Sequence, residues 1–141
     1  MRVTIPGLAT KSGDNSRSGS WHDKAKKVAR ERHLTRMVLG PKRVWTWPVV
    51  VTITRLSPRA LDTAGLASAL KGIEDEVAAW LGVDDGRSER AGQVLWIKTW
   101  ERASKTNAVT IEVEPLAPGL VEAARRHPTL VKLLRAHGWA A

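Results

Sequence analysis

Residues 61–86, LDTAGLASALKGIEDEVAAWLGVDDG, decide the fold, because they encode one long amphipathic helix with acidic residues at both ends. Apolar side chains recur at intervals of four and three residues, the spacing that places them on one face of a helix. They are Leu66, Leu70, Ile73, Val77, and Trp80 or Leu81. Gly82 stands where a left-handed residue commonly ends a helix, and Asp84-Asp85-Gly86 is typical of a tight turn. The stretch therefore predicts a helix that buries one face against the rest of the chain.

The segments around this helix predict a single small α/β (α+β) domain. Strands are indicated at residues 2–6, 44–56, 93–100 and 108–114, and another helix at residues 21–39. The strand at 44–56 is β-branched and almost continuously apolar, as central strands buried on both faces are. The last two strands are expected to form an antiparallel hairpin. This order of elements predicts one mixed sheet covered by helices.

The 141 residues are enough for one domain, and two segments are expected to lie outside its core. Residues 7–20, GLATKSGDNSRSGS, are interpreted as a flexible basic loop. Residues 116–141 are interpreted as a C-terminal helical extension, broken near His127-Pro128. The chain has no cysteine, which excludes disulfides and thiolate metal sites. Because no run is long enough for a membrane helix and no signal peptide is evident, we expect a cytoplasmic, intracellular protein.

The positive charge is concentrated in the first third of the chain. The net charge is +9, and residues 1–43 alone carry +8 of it. A basic segment beside an acidic centre favours a polyanionic partner such as nucleic acid, and the alternative is that basicity only aids solubility. Six cations lie on the helix at 21–39 and are interpreted as contacts to a phosphate backbone. They are Lys24, Lys26, Lys27, Arg30, Arg32 and Arg36, and Trp21, Ala25, Val28 and Ala29 form an apolar stripe among them.

The acidic residues of 61–86 have a chemical and a structural interpretation. Carboxylate oxygens are the ligands that Mg²⁺ prefers. The structural alternatives are a helix N-cap for Asp62 and turn positions for Asp84 and Asp85. For Glu74, Asp75 and Glu76 the alternative is a solvated helix face. A helix of about 20 residues is about 30 Å long, so acids at its two ends meet only if the chain folds back.

The tryptophans and histidines indicate less about chemistry. Trp45, Trp47, Trp96 and Trp100 have strand spacing, which leaves base stacking open beside burial in the core or in a dimer interface. The four histidines lack the paired spacing of a zinc site.

Residues 61–86 resemble the signature of RusA-family crossover-junction endodeoxyribonucleases and their phage-type relatives. That signature has Asp-x-Asp-Asn-Leu, then a helix with a lysine, then an Asp-Asp pair in the following loop. Here the matching residues are Asp62, Leu66, Lys71 and Asp84-Asp85. The flanks agree in type, since a Lys/Arg-rich helix precedes the motif and the strand AVTIEVEP follows it, so the resemblance covers roughly residues 3–115.

The resemblance implies a RusA-like homodimer that cleaves four-way DNA junctions with Mg²⁺, by attack of water on a phosphate. It implies catalytic roles for Asp62, Lys71 and Asp85, where lysine stabilises phosphate charge. It implies that Asp62, Asp84 and Asp85 hold Mg²⁺, and Asp75 or Glu74 could substitute for a missing ligand. A dimer suits a two-fold symmetric junction. The partner would be branched DNA, and the protein would come from a bacterium or a phage.

The sequence departs from the signature at two positions. Ala64 and Gly65 replace the second Asp and the Asn. Helical spacing puts Ala64 on the same face as Lys71 and Asp75, so a ligand is missing where the lysine remains. We therefore expect a RusA-like DNA-binding protein whose nuclease site is reduced or lost, and the sequence leaves open whether it is an enzyme. The alternatives are a non-catalytic nucleic-acid-binding or interaction module, and an unrelated α/β adaptor.

Overall fold

Four strands and two helices make up the described part of the chain, residues 1–10, 21–45, 48–84, 87 and 93–115 of this computed structural model. In chain order they are β1 (Arg2–Pro6), α1 (Trp21–Leu39), β2 (Val49–Ser57), α2 (Thr63–Leu81), β3 (Val94–Arg102) and β4 (Ala108–Pro115). This confirms the predicted α+β domain with a mixed sheet. Residues 11–20 of the predicted loop and the predicted extension at 116–141 lie outside the described residues.

The sheet has the strand order β1-β4-β2-β3. β4 is antiparallel to both β1 and β2, whereas β2 and β3 are parallel. The predicted hairpin of β3 and β4 is therefore wrong, because β2 lies between them. The helix α2 connects β2 to β3 as a crossover, which brings the chain back to the same edge and makes the pair parallel. β2 is central, as predicted, and it starts directly after Pro48.

β1, β2 and β3 run in the same direction, so all three end at one edge of the sheet, here called the carboxyl edge. α1 and α2 run roughly parallel to each other, since Glu31 approaches Gly72 at the middle of the two helices and Trp80 Nε1 donates to the Gly40 carbonyl, at 3.1 Å, near their ends. α2 begins six residues after β2 ends, which places its N-terminus at the carboxyl edge. The N-terminus of α1 lies at the same end of the molecule.

The core lies between α2 and one face of the sheet. Val51 and Ile53 of β2 are fully buried there against Leu70 and Ile73 of α2. The predicted apolar face of α2 is confirmed, and its first member, Leu66, is half-buried at the margin of the core. Alternation along β2 places every second residue on this face.

Both ends of α2 follow the predicted signals. Asp62 caps the start, and Gly82 ends the helix in the left-handed conformation with φ 75°. That conformation lets the Val83 amide donate to the Ala78 carbonyl at 2.9 Å, which satisfies a carbonyl of the last turn. Neither α1 nor α2, the helices of the described residues, is long and apolar enough to cross a membrane.

Candidate nucleic-acid interface

The first half of α1 is largely exposed, although Val28 lies beside Gly72 of α2. All residues from 21 to 30 are exposed except Lys27, which is half-buried. The helix packs through its second half, where Glu31, Thr35 and Leu39 are buried at intervals of four residues. The predicted apolar stripe of Trp21, Ala25, Val28 and Ala29 is therefore exposed, and it lies among cations.

The six cations of α1 divide into two groups of three. Arg32 and Arg36 both bind Glu76 of α2, with Nε–Oε distances of 3.1 and 2.7 Å. Lys27 lies 3.6 Å from Glu31 Oε1, one turn further along α1. For Lys24, Lys26 and Arg30, the described residues contain no ion-pair partner. These three, here called the outer cations, carry the charge that remains for an external anion.

Glu76 connects the two helices through its ion pairs with Arg32 and Arg36. Its burial alone would raise the pKa of its carboxyl, but hydrogen bonds and charge from Arg36 and Arg32 outweigh burial and hold the pKa below its ordinary value. The same contact raises the pKa of Arg36. Glu31 shows the opposite balance, because burial raises its pKa and Lys27 offsets this only in part. Its Oε1 accepts no hydrogen bond.

The interpretation of Glu74 and Glu76 as a solvated face is wrong. Their residues are only 6% and 3% exposed, and Glu74 forms an ion pair with Lys98 of β3. The helix is covered on two sides, by the sheet and by α1, so only Asp75 of the three acids is half-exposed. Gly72 was the one sequence signal that another element packs over this side of α2, because a glycine allows a close approach. A Cβ at residue 72 would lie 3.2 Å from Glu31 Oε2 of α1.

Asp62 is the N-cap of α2. Its Oδ1 accepts a hydrogen bond from the Gly65 amide at 2.6 Å, which satisfies one of the free N–H groups of the first turn. A Cβ at residue 65 would lie 2.7 Å from the same oxygen, closer than such atoms pack. Glycine at this position therefore permits the close cap. Ala64, which stands where the RusA signature has its second Asp, is the exposed residue before Gly65.

The other residues of the predicted site are spread along α2. Lys71 Nζ lies 3.0 Å from Asp75 Oδ1, a surface pair one helical turn apart. Asp84 follows the far end of the helix, where its Oδ1 accepts from the Arg87 amide at 3.2 Å. Asp85 lies outside the described residues.

Distance along α2 separates the two ends of the predicted metal site. The helix has 19 residues, so it is about 28 Å long at 1.5 Å per residue, and Asp62 and Asp84 lie beyond its opposite ends. These two aspartates of one chain do not share a cation. Among the residues that the structure describes, no three histidine, aspartate or glutamate side chains are grouped as a metal site requires.

A buried arginine at the carboxyl edge was missed by the sequence prediction. Arg55 is 9% exposed, and its guanidinium donates to the Thr10 hydroxyl at 3.0 Å and to the Arg59 carbonyl at 2.7 Å. It also donates to the hydroxyl of Ser57, which accepts from Trp100 Nε1 at 2.9 Å. Burial lowers the pKa of Arg55. The alternation of β2 was the available signal, because position 55 follows Val51 and Ile53 on the core face.

This network fixes the loops at the carboxyl edge. Thr10 belongs to the segment after β1, and Arg59 belongs to the connection that leads to Asp62. The arginine therefore joins both segments to the end of β2 through uncharged acceptors. Leu8 and Thr10 are buried, so residues 7–10 of the predicted loop pack on the body.

Of the interpretations left open for these tryptophans, the structure favours burial over base stacking at the three described positions, Trp45, Trp96 and Trp100. Trp96 is in the core, and Trp45 packs edge-on against Trp80 with ring centroids 5.7 Å apart. Trp100 is half-buried in the Arg55 network, and Trp47 lies outside the described residues. For these three described side chains, burial explains the residue type.

Comparison with known proteins adds no relative: no family model matches the chain, and no curated protein sequence matches it.

Proposed function

We propose that this chain is a RusA-like DNA-binding protein, related to the Mg²⁺-dependent Holliday junction resolvases, in which the nuclease site is reduced or lost. It would act inside a bacterial cell, as a homodimer on branched DNA. The observation that carries the proposal is the exposed first half of α1 with its three outer cations. The sequence resemblance at 61–86 supports the choice of family and of branched DNA.

Phosphate binding is the chemistry that suits the outer cations. Lys24, Lys26 and Arg30 lie within two helical turns on a segment that contributes little to the core. Cations without an internal partner release counterions when they neutralise phosphates, and this makes DNA affinity depend on salt. Three such contacts per chain correspond to a slope of about −2.7 in a plot of log affinity against log salt. A homodimer would present two such helices.

The arrangement of the acids supports a reduced site. Asp62 is engaged as a helix cap, Lys71 is paired with Asp75, and Ala64 supplies no ligand. Mg²⁺ usually stabilises the attacking and leaving oxygens of a phosphoryl group, which requires converging carboxylates. In a dimer, Asp84 or Asp85 of a second copy would have to approach Asp62 to provide them. The alternative function, a non-catalytic nucleic-acid-binding or interaction module that keeps the fold, is favoured by the capped Asp62.

A four-way junction assay tests the proposal. The purified protein is titrated onto a labelled synthetic junction at several salt concentrations, with Mg²⁺ or Mn²⁺ present. We expect salt-sensitive binding and slow or absent cleavage. Lys24→Gln, Lys26→Gln and Arg30→Gln should each lower the salt slope by about one. The control is Lys42→Gln, an exposed lysine that follows the far end of α1 and so lies at the other end of this helix from the outer cations, which should leave the slope unchanged.

Restoring the family pattern tests the nuclease part separately. Ala64→Asp together with Gly65→Asn should create or raise metal-dependent cleavage of the junction, because it returns the missing carboxylate and displaces Asp62 from its cap. Unchanged cutting and unchanged metal binding would contradict the alignment with the family. Fast cleavage by the natural chain, abolished in Asp85→Asn, would contradict a reduced site. Equal affinity for a junction and for a mixed-sequence duplex would remove the preference for branched DNA.

A further inference from the structure

An exposed aromatic pair marks the start of α1. Trp21 is the first residue of the helix and is 71% exposed. Its ring stacks on the imidazole of His22, with ring centroids 3.7 Å apart and planes inclined by 30°. The stack holds the indole in place while one of its faces stays open to solvent.

This exposure is exceptional among the described tryptophans. Trp80 and Trp96 are buried, and Trp45 and Trp100 are half-buried. Trp21 continues the exposed apolar stripe of Ala25, Val28 and Ala29, and a contiguous exposed apolar patch rimmed by charged residues marks an interaction site. A flat, open aromatic face is suited to another flat ring.

The charges around the pair indicate what kind of ring-containing ligand binds there. Lys24 lies one turn from Trp21 on the same side of the helix. Lys26 and Arg30 lie about 140° and 180° around the helix axis from Trp21, on its opposite side. A ligand that offers rings together with negative charges at regular intervals is a nucleic acid strand. Single-stranded binding proteins combine these two elements, cations for the backbone and aromatic rings for the bases.

We propose that the Trp21–His22 pair stacks an unpaired DNA base while Lys24, on the same side of α1, contacts a phosphate of that strand. This inference rests on the proposed function and names the part of the DNA that is recognised. In a continuous duplex each base is covered on both faces by its neighbours, so the indole gains a partner only where stacking is interrupted. The protein therefore prefers gaps, single strands and open junction centres.

The test compares Trp21→Ala with Met37→Ala. Met37 is the matched control, because it is an equally exposed apolar residue, at 66%, on the same helix. Fluorescence anisotropy measures affinity for four labelled DNAs: a four-way junction, a duplex with a one-nucleotide gap, an oligothymidine, and an uninterrupted duplex. Circular dichroism verifies that both variants are folded.

We expect Trp21→Ala to weaken binding to the three interrupted DNAs about 5- to 100-fold, the range for loss of one base-aromatic stack. Binding to the uninterrupted duplex and the salt slope should stay as in the natural chain. Trp21→Phe should restore part of the affinity. A 2-aminopurine placed opposite the gap should lose fluorescence with the natural protein and keep it with Trp21→Ala.

Three results would overturn the inference, and they differ from failure of the proposed function. Unchanged affinity of Trp21→Ala for every DNA means that the indole does not contact a base. An equal loss on all four DNAs means a general contribution rather than stacking. Binding to anionic phosphatidylserine vesicles that Trp21→Ala abolishes, with no effect on DNA, assigns the pair to a membrane surface. If only the outer-cation variants lose DNA affinity, the proposed function holds without this inference, and absence of any DNA binding by the natural chain removes both.

Discussion

The two helices have the same length, yet they use their charged residues in opposite ways. Each has 19 residues, with ten ionisable side chains on α1 and four on α2. α2 lies between the sheet and α1, so its acids Glu74 and Glu76 are buried and paired with cations of other elements. Among the described residues, none covers the outer side of the first half of α1, so its outer cations are open to an external partner. Position in the fold, not residue type, decides which charges remain for function.

The largest difference between the helices is expected in stability. Leu70→Ala removes a fully buried side chain of α2 and should lower the free energy of unfolding by about 2–5 kcal/mol, through lost burial and a cavity. Met37→Ala on the exposed side of α1 should change it by less than about 0.5 kcal/mol. Urea unfolding followed by circular dichroism measures both. Similar losses in the two variants would mean that α1 is covered on its outer side in solution.

The periodicity of α2 made its role predictable, whereas pairing between elements was not. Leu70 and Ile73 faced the core because a local spacing of three and four residues determines the face of a helix. The parallel pairing of β2 with β3 depends on contacts across 45 residues of sequence, and alternation within a strand does not specify its neighbour.

Local patterns also do not report which elements pack together, and this explains what the sequence prediction missed in the candidate site. Glu74 and Glu76 were interpreted as solvated because their burial depends on α1 packing over α2, which no local pattern reports. The burial of Arg55 could have been predicted, since this residue continues the alternation of the core face of β2. The cap formed by Asp62 was recognised as one of two interpretations, and the structure confirms it.

Glu76 should be the most important charged residue of the helix pair. Glu76→Gln should lower the free energy of unfolding at pH 7 by about 1–2 kcal/mol, because it weakens charged hydrogen bonds to Arg32 and Arg36 that are partly open to water. The pKa of Glu76 is depressed in the folded state, so its contribution is present above the usual carboxyl range and is lost as pH falls through the folded pKa.

Unfolding titrations of Glu76→Gln and the natural chain between pH 3 and pH 8 measure this dependence. The two curves should converge at the acidic end. A deficit that stays constant over the whole range would show that the shape of the side chain matters rather than its charge.

The cap of α2 is expected to have a smaller effect. Asp62→Ala should cost about 1 kcal/mol, the usual value of an N-cap, and Asp62→Asn should cost only a few tenths because asparagine caps equally well. Thermal unfolding compares the two. If Asp62 also binds a metal ion, Asp62→Asn should weaken Mn²⁺ binding in isothermal titration even though the helix keeps its stability, and this separates the two interpretations.

The smallest expected effect has the opposite sign, and it belongs to Glu31. Burial raises the pKa of this carboxyl, so the folded protein disfavours its charge, and the associated stability is lost as pH rises through the folded pKa. Glu31→Gln removes the charge but keeps the shape, and should raise the free energy of unfolding at pH 7 by up to about 1 kcal/mol. Below the usual carboxyl pKa of about 4.3 the natural chain is neutral at this position, so the gain should vanish. Urea unfolding at pH 4 and pH 7 provides the comparison with Glu76→Gln, and a loss of stability at pH 7 would show that the contact of Glu31 with Lys27 outweighs its burial.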